Sequence, residues 1–329
     1  MLKEMDGHGD AMRDLALSQD GQLIASSDDS GYVTTWHGGT GRPLAQAFRA
    51  HQSPCSLDFS PDSTTLATGS SDYTVKLWST ETWQQQGELL SCHYDVNYIR
   101  YSPSGELLAI ATSYNIKIYN SSAKGFTANL GASATSLMWT PDGKRLLSGN
   151  CDDIIIREWD SSTWKQAGDI WKGRTGYPWR VGAANYNGTL VASPTTDNCV
   201  RIWRLTDWQT IAIFQHSDVP CCVTFSMDGR QILVGGKDKK ISEWAVPEHA
   251  WPKDVLKDEM IYQVCLCSFF IDSSSYLFVP RFKTAIQNPW APIPRFRALP
   301  LRLNTLIPRY ASTPKSYNTM RACRCRSSL

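Results

Sequence analysis

The chain has 329 residues, 42% of them hydrophobic and 13 of them Trp, with 33 Lys/Arg against 31 Asp/Glu for a net charge of +2. This is enough apolar material for a large folded core. The totals exclude a disordered, collagen-like or coiled-coil chain, and a strongly basic nucleic-acid binder.

Taken in chain order, one pattern recurs. The first copy, DLALSQDGQLIASSDDSGYVTTW, spans residues 14–36, and the second, SLDFSPDSTTLATGSSDYTVKLW, spans 56–78. The third, YIRYSPSGELLAIATSYNIKIY, spans 98–119, and the fourth, SLMWTPDGKRLLSGNCDDIIIREW, spans 136–159. The fifth contains NYNGTLVASPTTDNCVRIW at 185–203, and the sixth reads CVTFSMDGRQILVGGKDKKISEW at 222–244. Trp36, Trp78, Tyr119, Trp159, Trp203 and Trp244 therefore recur every 40–44 residues. Short β-branched or alternating runs, broken by turns such as S-P-D-S and T-P-D-G, predict strands. Three strands precede each Trp. A fourth is predicted to begin near the second Trp of each unit, Trp83, Trp164 and Trp208. Helical periodicity is absent.

Four strands per 40–45 residues is the size of one propeller blade. With His ahead of the unit and Trp at its end, the copies resemble the WD-repeat β-propeller family over about residues 8–246. The resemblance implies an all-β fold with six recognisable four-stranded blades within residues 1–247. Only Trp159-Asp160 is a literal Trp-Asp pair. In this family a His, a strand hydroxyl, a turn Asp and the Trp form a hydrogen-bonded chain inside each blade. The second copy matches most fully, with His51, Thr68, Asp72 and Trp78. Partial sets are His8 and Trp36, His93, Asp153 and Trp159, then Ser193, Asp197 and Trp203, and His216, Asp238 and Trp244. The sixth copy has Val234 where the hydroxyl is expected. The third has Tyr119 for Trp and Ser113 for Asp, which predicts a locally weaker blade.

A His, a hydroxyl and an Asp could suggest a hydrolase triad. The set recurs once per blade, however, whereas catalysis needs one site. No phosphate-binding loop, nucleophile elbow or HExxH zinc motif occurs. Asp28-Asp29 and Asp152-Asp153 read as turn acids. The Cys spacings favour small buried hydrophobes over metal ligands. No catalytic residue, cofactor or metal is expected, and proteins are the expected partners.

In the family, partners often dock on the face made by the loops into each first strand and the turns before the Trp strand. Arg13, Asp95, Asn97 and Asp218 are candidates there. The most suggestive segment is G-R-T-G-Y-P-W-R at 173–180, with Arg174, Tyr177, Trp179 and Arg180 of types enriched at interface hot spots. The alternative for Trp179 is packing into the gap left by the missing His of the fifth blade.

Residues 248–329 are a different material. Residues 245–329 hold 12 Lys/Arg and 5 Asp/Glu, which leaves −5 for residues 1–244. The expectation is a basic, Pro-rich, mostly disordered tail, with a degenerate seventh blade over 248–290 as the alternative and residues 1–5 as a strand closing the ring. The N-terminus lacks the apolar core of a secretory signal, and residues 261–279 fall short of a membrane span. An intracellular, cytoplasmic location is expected, with the nucleus as the alternative. The alternatives are the interaction or sensor part of a larger multidomain protein, and an enzyme with convergent residues at a propeller channel.

Overall fold

The computed structural model describes residues 8–251, except 54, 151–154, 169–181, 186, 196, 227 and 239–240. The chain divides into two compact units, 1–284 and 285–329, and all described residues lie in the first. Apart from residues 248–251, the tail and the alternative seventh blade lie outside the described residues, as does the closing strand at residues 1–5.

Six antiparallel sheets follow one another as the blades of a propeller. Blade 1 is β1 (Met12–Leu17), β2 (Leu23–Asp28), β3 (Tyr32–His37) and β4 (Phe48–Arg49). Blade 2 is β5 (Cys55–Phe59), β6 (Thr65–Ser70), β7 (Thr74–Ser79) and β8 (Leu90–Ser91). Blade 3 is β9 (Val96–Tyr101), β10 (Leu107–Thr112), β11 (Ile116–Asn120) and β12 (Gly125–Leu130). Blade 4 shows β13 (Ser136–Trp139), β14 (Arg145–Asn150) and β15 (Ile155–Asp160). Blade 5 is β16 (Ala183–Ala184), β17 (Leu190–Pro194), β18 (Cys199–Arg204) and β19 (Thr210–Gln215). Blade 6 shows β20 (Pro220–Phe225), β21 (Gln231–Gly236) and β22 (Ile241–Ala245). Blades 4 and 6 thus have three strands among the described residues. A short 3-10 turn, Glu248–Ala250, follows, and no α-helix occurs among the described residues.

The hairpins explain the turn sequences. Ser60 Oγ donates to Asp62 Oδ1 at 2.5 Å, and the same oxygen accepts the Thr64 N–H at 3.1 Å. The motif repeats at Ser18 with Asp20, Thr140 with Asp142 and Ser226 with Asp228. A second corner repeats five residues past the marker Trp or Tyr in the first five blades. Gly41, Trp83, Lys124, Trp164 and Trp208 all have φ between 50° and 60°. At Trp83, Trp164 and Trp208 the backbone N–H donates to the carbonyl four residues back. Trp83 and Trp208 therefore form the turn before the fourth strand and do not begin it, and Trp164 forms the same turn after β15. Their rings pack on the clusters below.

The core is built between blades. Leu57, Phe59 and Trp78 meet Ala16, Ala25 and Val33 of blade 1. Ile99, Leu108 and Ile110 meet Ala67 and Val75 of blade 2. Met138, Leu147 and Ile156 meet Val191 of blade 5, and Val223 and Ile232 of blade 6 meet Ala192 and Ile202. Blade 3 has an unbroken four-stranded sheet despite its departures, because Ile99, Ile110, Ile116 and Ile118 are fully buried. At roughly 1.5–3 kcal/mol per buried side chain, apolar packing replaces the missing polar links.

Candidate interaction face

In blade 2, Trp78 Nε1–H donates to Thr68 Oγ1 at 3.0 Å, and Thr68 Oγ1 lies 2.7 Å from His51 Nε2. His51 Nδ1 lies 3.0 Å from Asp72 Oδ2. One tautomer satisfies the whole chain: Nδ1–H donates to the carboxylate, and Nε2 accepts from the threonine hydroxyl. Burial pushes the His51 pKa down, consistent with a neutral ring. Against its own burial, the Thr74 hydroxyl and His51 hold the Asp72 carboxyl below the usual range.

Blade 1 has the same chain with a different acid. Trp36 Nε1–H donates to Ser26 Oγ at 3.0 Å, Ser26 Oγ lies 2.6 Å from His8 Nε2, and His8 Nδ1 lies 3.0 Å from Asp28 Oδ2. Asp28 is thus more than a turn acid. It sits two residues earlier relative to its Trp than Asp72 does, so a fixed spacing misses it.

The other blades depart further. In blade 4, Trp159 Nε1–H donates to Ser148 Oγ at 2.9 Å, while Asp153 lies outside the described residues. In blade 5, Trp203 Nε1–H donates to Ser193 Oγ at 2.8 Å. There Asp197 Oδ1 accepts from Arg201 Nη1 at 2.8 Å, and the Arg201 side chain is buried. That guanidinium drives the Asp197 carboxyl far below the usual carboxylate range. A cation on β18 therefore takes the carboxylate that a histidine takes elsewhere. In blade 6, His216 Nδ1 lies 3.0 Å from the Asp218 carbonyl and 3.9 Å from Asp238 Oδ2. Trp244 there stacks on Phe214 at 5.3 Å and meets His216 edge-on at 5.8 Å. Gly236 makes room, since a Cβ on it would lie 2.4 Å from His216 Cε1.

One expectation is corrected. His93 is exposed and belongs to no internal chain. The interior of blade 3 offers it nothing, since Ala109 stands in the hydroxyl position and Ser113 in that of the acid.

Two of the first strands each carry a buried carboxylate, Asp14 on β1 and Asp58 on β5. Asp14 Oδ1 accepts the Leu15 N–H and Oδ2 the Leu57 N–H, both at 2.8 Å. Asp58 Oδ1 accepts from Arg100 Nη1 at 3.0 Å, and Oδ2 accepts the Tyr101 N–H at 2.7 Å. Both oxygens of each acid are engaged, and Leu57 and Tyr101 belong to the following blade. These acids fasten one blade to the next. Burial raises the Asp14 carboxyl to about 6, although the Leu57 and Leu15 amides oppose it.

The candidate partner residues are spread over several loops. Arg13 pairs with Asp29 at 3.7 Å at the rim of blade 1. Asp95 accepts from the Ser113 hydroxyl at 3.4 Å on blade 3. Asn97 Nδ2 donates to the Ala134 carbonyl at 3.1 Å and so links blades 3 and 4. Asp218 accepts the Val219 N–H at 2.7 Å. Arg174, Tyr177, Trp179 and Arg180 lie outside the described residues. Sequence reasoning missed four exposed tyrosines on the turns and loops of blades 1–3: Tyr32, Tyr73, Tyr94 and Tyr114. Tyr32, Tyr73 and Tyr114 share a position around the turn before a third strand, which was the available signal, while Tyr94 stands on the loop into β9.

A family profile described as "WD domain, G-beta repeat" matches residues 1–37, 41–79, 124–160 and 208–244. The chain is a WD-repeat β-propeller. Three of the four matched stretches begin in the loop ahead of one blade's fourth strand and end on the next blade's third. The segments between them, 80–123 and 161–207, hold most of blades 3 and 5, which depart from the polar chain at His93 and Arg201. Among relatives, the Intraflagellar transport protein 122 homolog of Mus musculus is 25% identical over 70% of this chain and 20% of its own length. The Anaphase-promoting complex subunit cdc20 of Dictyostelium discoideum is 30% identical over 34% of this chain and 22% of its own. Eukaryotic translation initiation factor 3 subunit I of Scheffersomyces stipitis is 28% identical over 48% of this chain and 50% of its own. The WD-repeat chain thus spans between a fifth and a half of these relatives.

Proposed function

We propose that this WD-repeat chain is a non-catalytic scaffold that presents propeller loops to partner proteins inside the cell. One observation carries the reading. The polar groups that resemble catalytic machinery are engaged in structural bonds, His8 with Asp28 and His51 with Asp72 inside a blade, and Asp14 and Asp58 each to the next blade. Large exposed side chains instead gather on loops and turns, where binding residues are commonly carried. Two relatives bear the names of subunits of larger assemblies, which supports the same role. No described helix is long and apolar enough to cross a membrane. The loop residues Arg13, Asp95 and Asp218, with Arg174, Tyr177, Trp179 and Arg180, are the proposed contacts, and no cofactor is invoked.

The test is affinity capture with the full chain and with a Trp179→Ala/Arg180→Ala variant. A scaffold loses a defined partner in the variant while its thermal transition stays in place. A variant that loses its thermal transition places Trp179 in the packing, and a wild-type chain that captures no partner refutes the scaffold. The 20% coverage of the mouse relative favours a second reading, the interaction part of a longer multidomain protein. The mass of the endogenous protein on an immunoblot tests it.

A further inference from the structure

Blade 3 turns outward the histidine that blades 1 and 2 hold inside. His93 is exposed, and a carboxylate outside the repeat's acid position, Asp95, stands on the loop into β9. Beside them Tyr94 and Tyr114 stack, with ring centroids 5.0 Å apart and planes 14° from parallel. Tyr114 is 69% exposed and Tyr94 38%, so the pair buries little in the core. Tyr73, half exposed on the neighbouring turn of blade 2, extends the patch, and its carbonyl accepts the Cys92 N–H at 2.8 Å.

The backbone beneath the pair is fixed. Thr112 Oγ1 accepts the Tyr114 N–H at 3.2 Å and the Asn115 N–H at 2.9 Å. The Asp95 carbonyl accepts the Ser113 N–H at 3.0 Å. A site already rigid loses little entropy on binding.

Its chemistry is selective. Tyrosine faces attract cations, and the Asp95 carboxylate adds a counter-charge. A planar guanidinium suits both, because it stacks on a ring while its N–H groups reach a carboxylate. The same grouping occurs between blades 2 and 3: the Arg100 guanidinium lies 5.1 Å from the Tyr98 ring centroid and 3.0 Å from Asp58 Oδ1. At the surface the tyrosines and the acid are present, and among the described residues no cation pairs with Asp95. The net charge of −5 over residues 1–244 also favours a basic partner.

We propose that Tyr94, Asp95 and Tyr114, extended by Tyr73, bind an arginine side chain of a partner protein. The proposal rests on the scaffold reading and specifies its partner chemistry. The test uses the full chain labelled on tyrosine rings, titrated with the peptide Gly-Arg-Gly-Arg-Gly and followed by NMR. The ring signals of Tyr94 and Tyr114 should shift saturably. Tyr114→Ala, and separately Asp95→Asn, should weaken the apparent affinity about fivefold or more, with the thermal transition unchanged. The peptide with citrulline in place of arginine should bind as weakly as the variants do. Equal shifts with citrulline, shifts unaffected by both substitutions, or no saturable shift would overturn the site. Should Tyr114→Ala unfold the chain, Tyr114→Leu keeps the bulk and removes the ring face. Partner capture that survives Tyr114→Ala refutes this site and leaves the scaffold reading intact.

Discussion

Thr68→Val is the sharpest perturbation of the frame. It exchanges a fully buried hydroxyl for a methyl group of similar size. Thr68 Oγ1 accepts from Trp78 Nε1–H at 3.0 Å and lies 2.7 Å from His51 Nε2. Trp78 is 7% exposed and His51 2%, so water cannot readily replace the lost partner. Each buried polar group left unsatisfied costs about 1–3 kcal/mol, and two are orphaned. Some relaxation at the indole places the expected loss near 3 kcal/mol, a large part of the 5–15 kcal/mol typical of a domain. Urea unfolding followed by tryptophan fluorescence reads it as a lower midpoint at unchanged slope. Trp78→Phe removes the donor, so the double variant should lose less than the sum of the singles by about 1 kcal/mol. A Thr68→Val loss under about 0.5 kcal/mol, or strict additivity, would refute the network as a source of stability.

Val234→Thr in blade 6 is the converse: it offers Trp244 and His216 the missing hydroxyl and should raise stability by about 1 kcal/mol in the same urea assay. Asp14 supplies a pH dependence. Its folded carboxyl, raised to about 6 from 3.8, keeps a proton that the unfolded chain has lost. The folded state binds more protons in that window, so stability falls by about 3 kcal/mol as pH rises from about 4 to about 6. Subtracting the pH profile of Asp14→Asn should isolate this slope, and a flat difference contradicts it. Arg201→Met removes a buried cation from Asp197, which is itself 38% exposed at the side chain. Solvent reaches the acid, so the loss should be about 2 kcal/mol, below the 3–5 usual for a fully buried pair, read as a lower urea midpoint. Lys124→Gly relieves a left-handed residue with φ 50° and should gain about 0.5 kcal/mol in thermal unfolding.

The blades were legible because a repeat exposes whatever its copies share. The spacing of Trp36, Trp78, Trp159 and Trp203, and the hydroxyl ten or eleven residues earlier, survives in all four copies and is seen as an indole-to-hydroxyl bond in each. What a repeat hides is compensation inside one copy. Asp28 does the work of Asp72 from a position two residues earlier, because the end of β2 and the turn after β6 both reach the imidazole. Arg201 stands on the strand itself, where the other copies show Thr34, Lys76, Lys117, Arg157 and Ser242, and the recurring cation in that column does not reveal which copy turns it onto the turn acid. His93 kept its residue type but lost its inward partners. The recurrent second tryptophans read as strand starts, since neither pattern nor propensity reveals a positive φ at a bulky residue.

These departures bear on where function is carried. Blades 1 and 2 have the full polar chain, blades 4 and 5 part of it, blade 6 a stack of rings, and blade 3 none of it. Each nevertheless forms the same antiparallel ladder. The ladder and the clusters between blades therefore suffice to form a blade, and the polar chain adds stability and a defined register where it occurs. A blade whose core is held by Ile99, Ile110, Ile116 and Ile118 does not need its histidine inside. It is free to place it at the surface, and there the stacked pair of Tyr94 and Tyr114 stands. The proposed arginine site thus sits on the blade that has no internal polar chain to preserve. By the same reasoning Asp72, tied to His51 and Thr74, should be a poorer place to alter binding than Asp95, one blade away. Asp72→Asn should lower the urea midpoint and leave arginine-peptide affinity within about twofold of wild type, whereas Asp95→Asn should do the reverse.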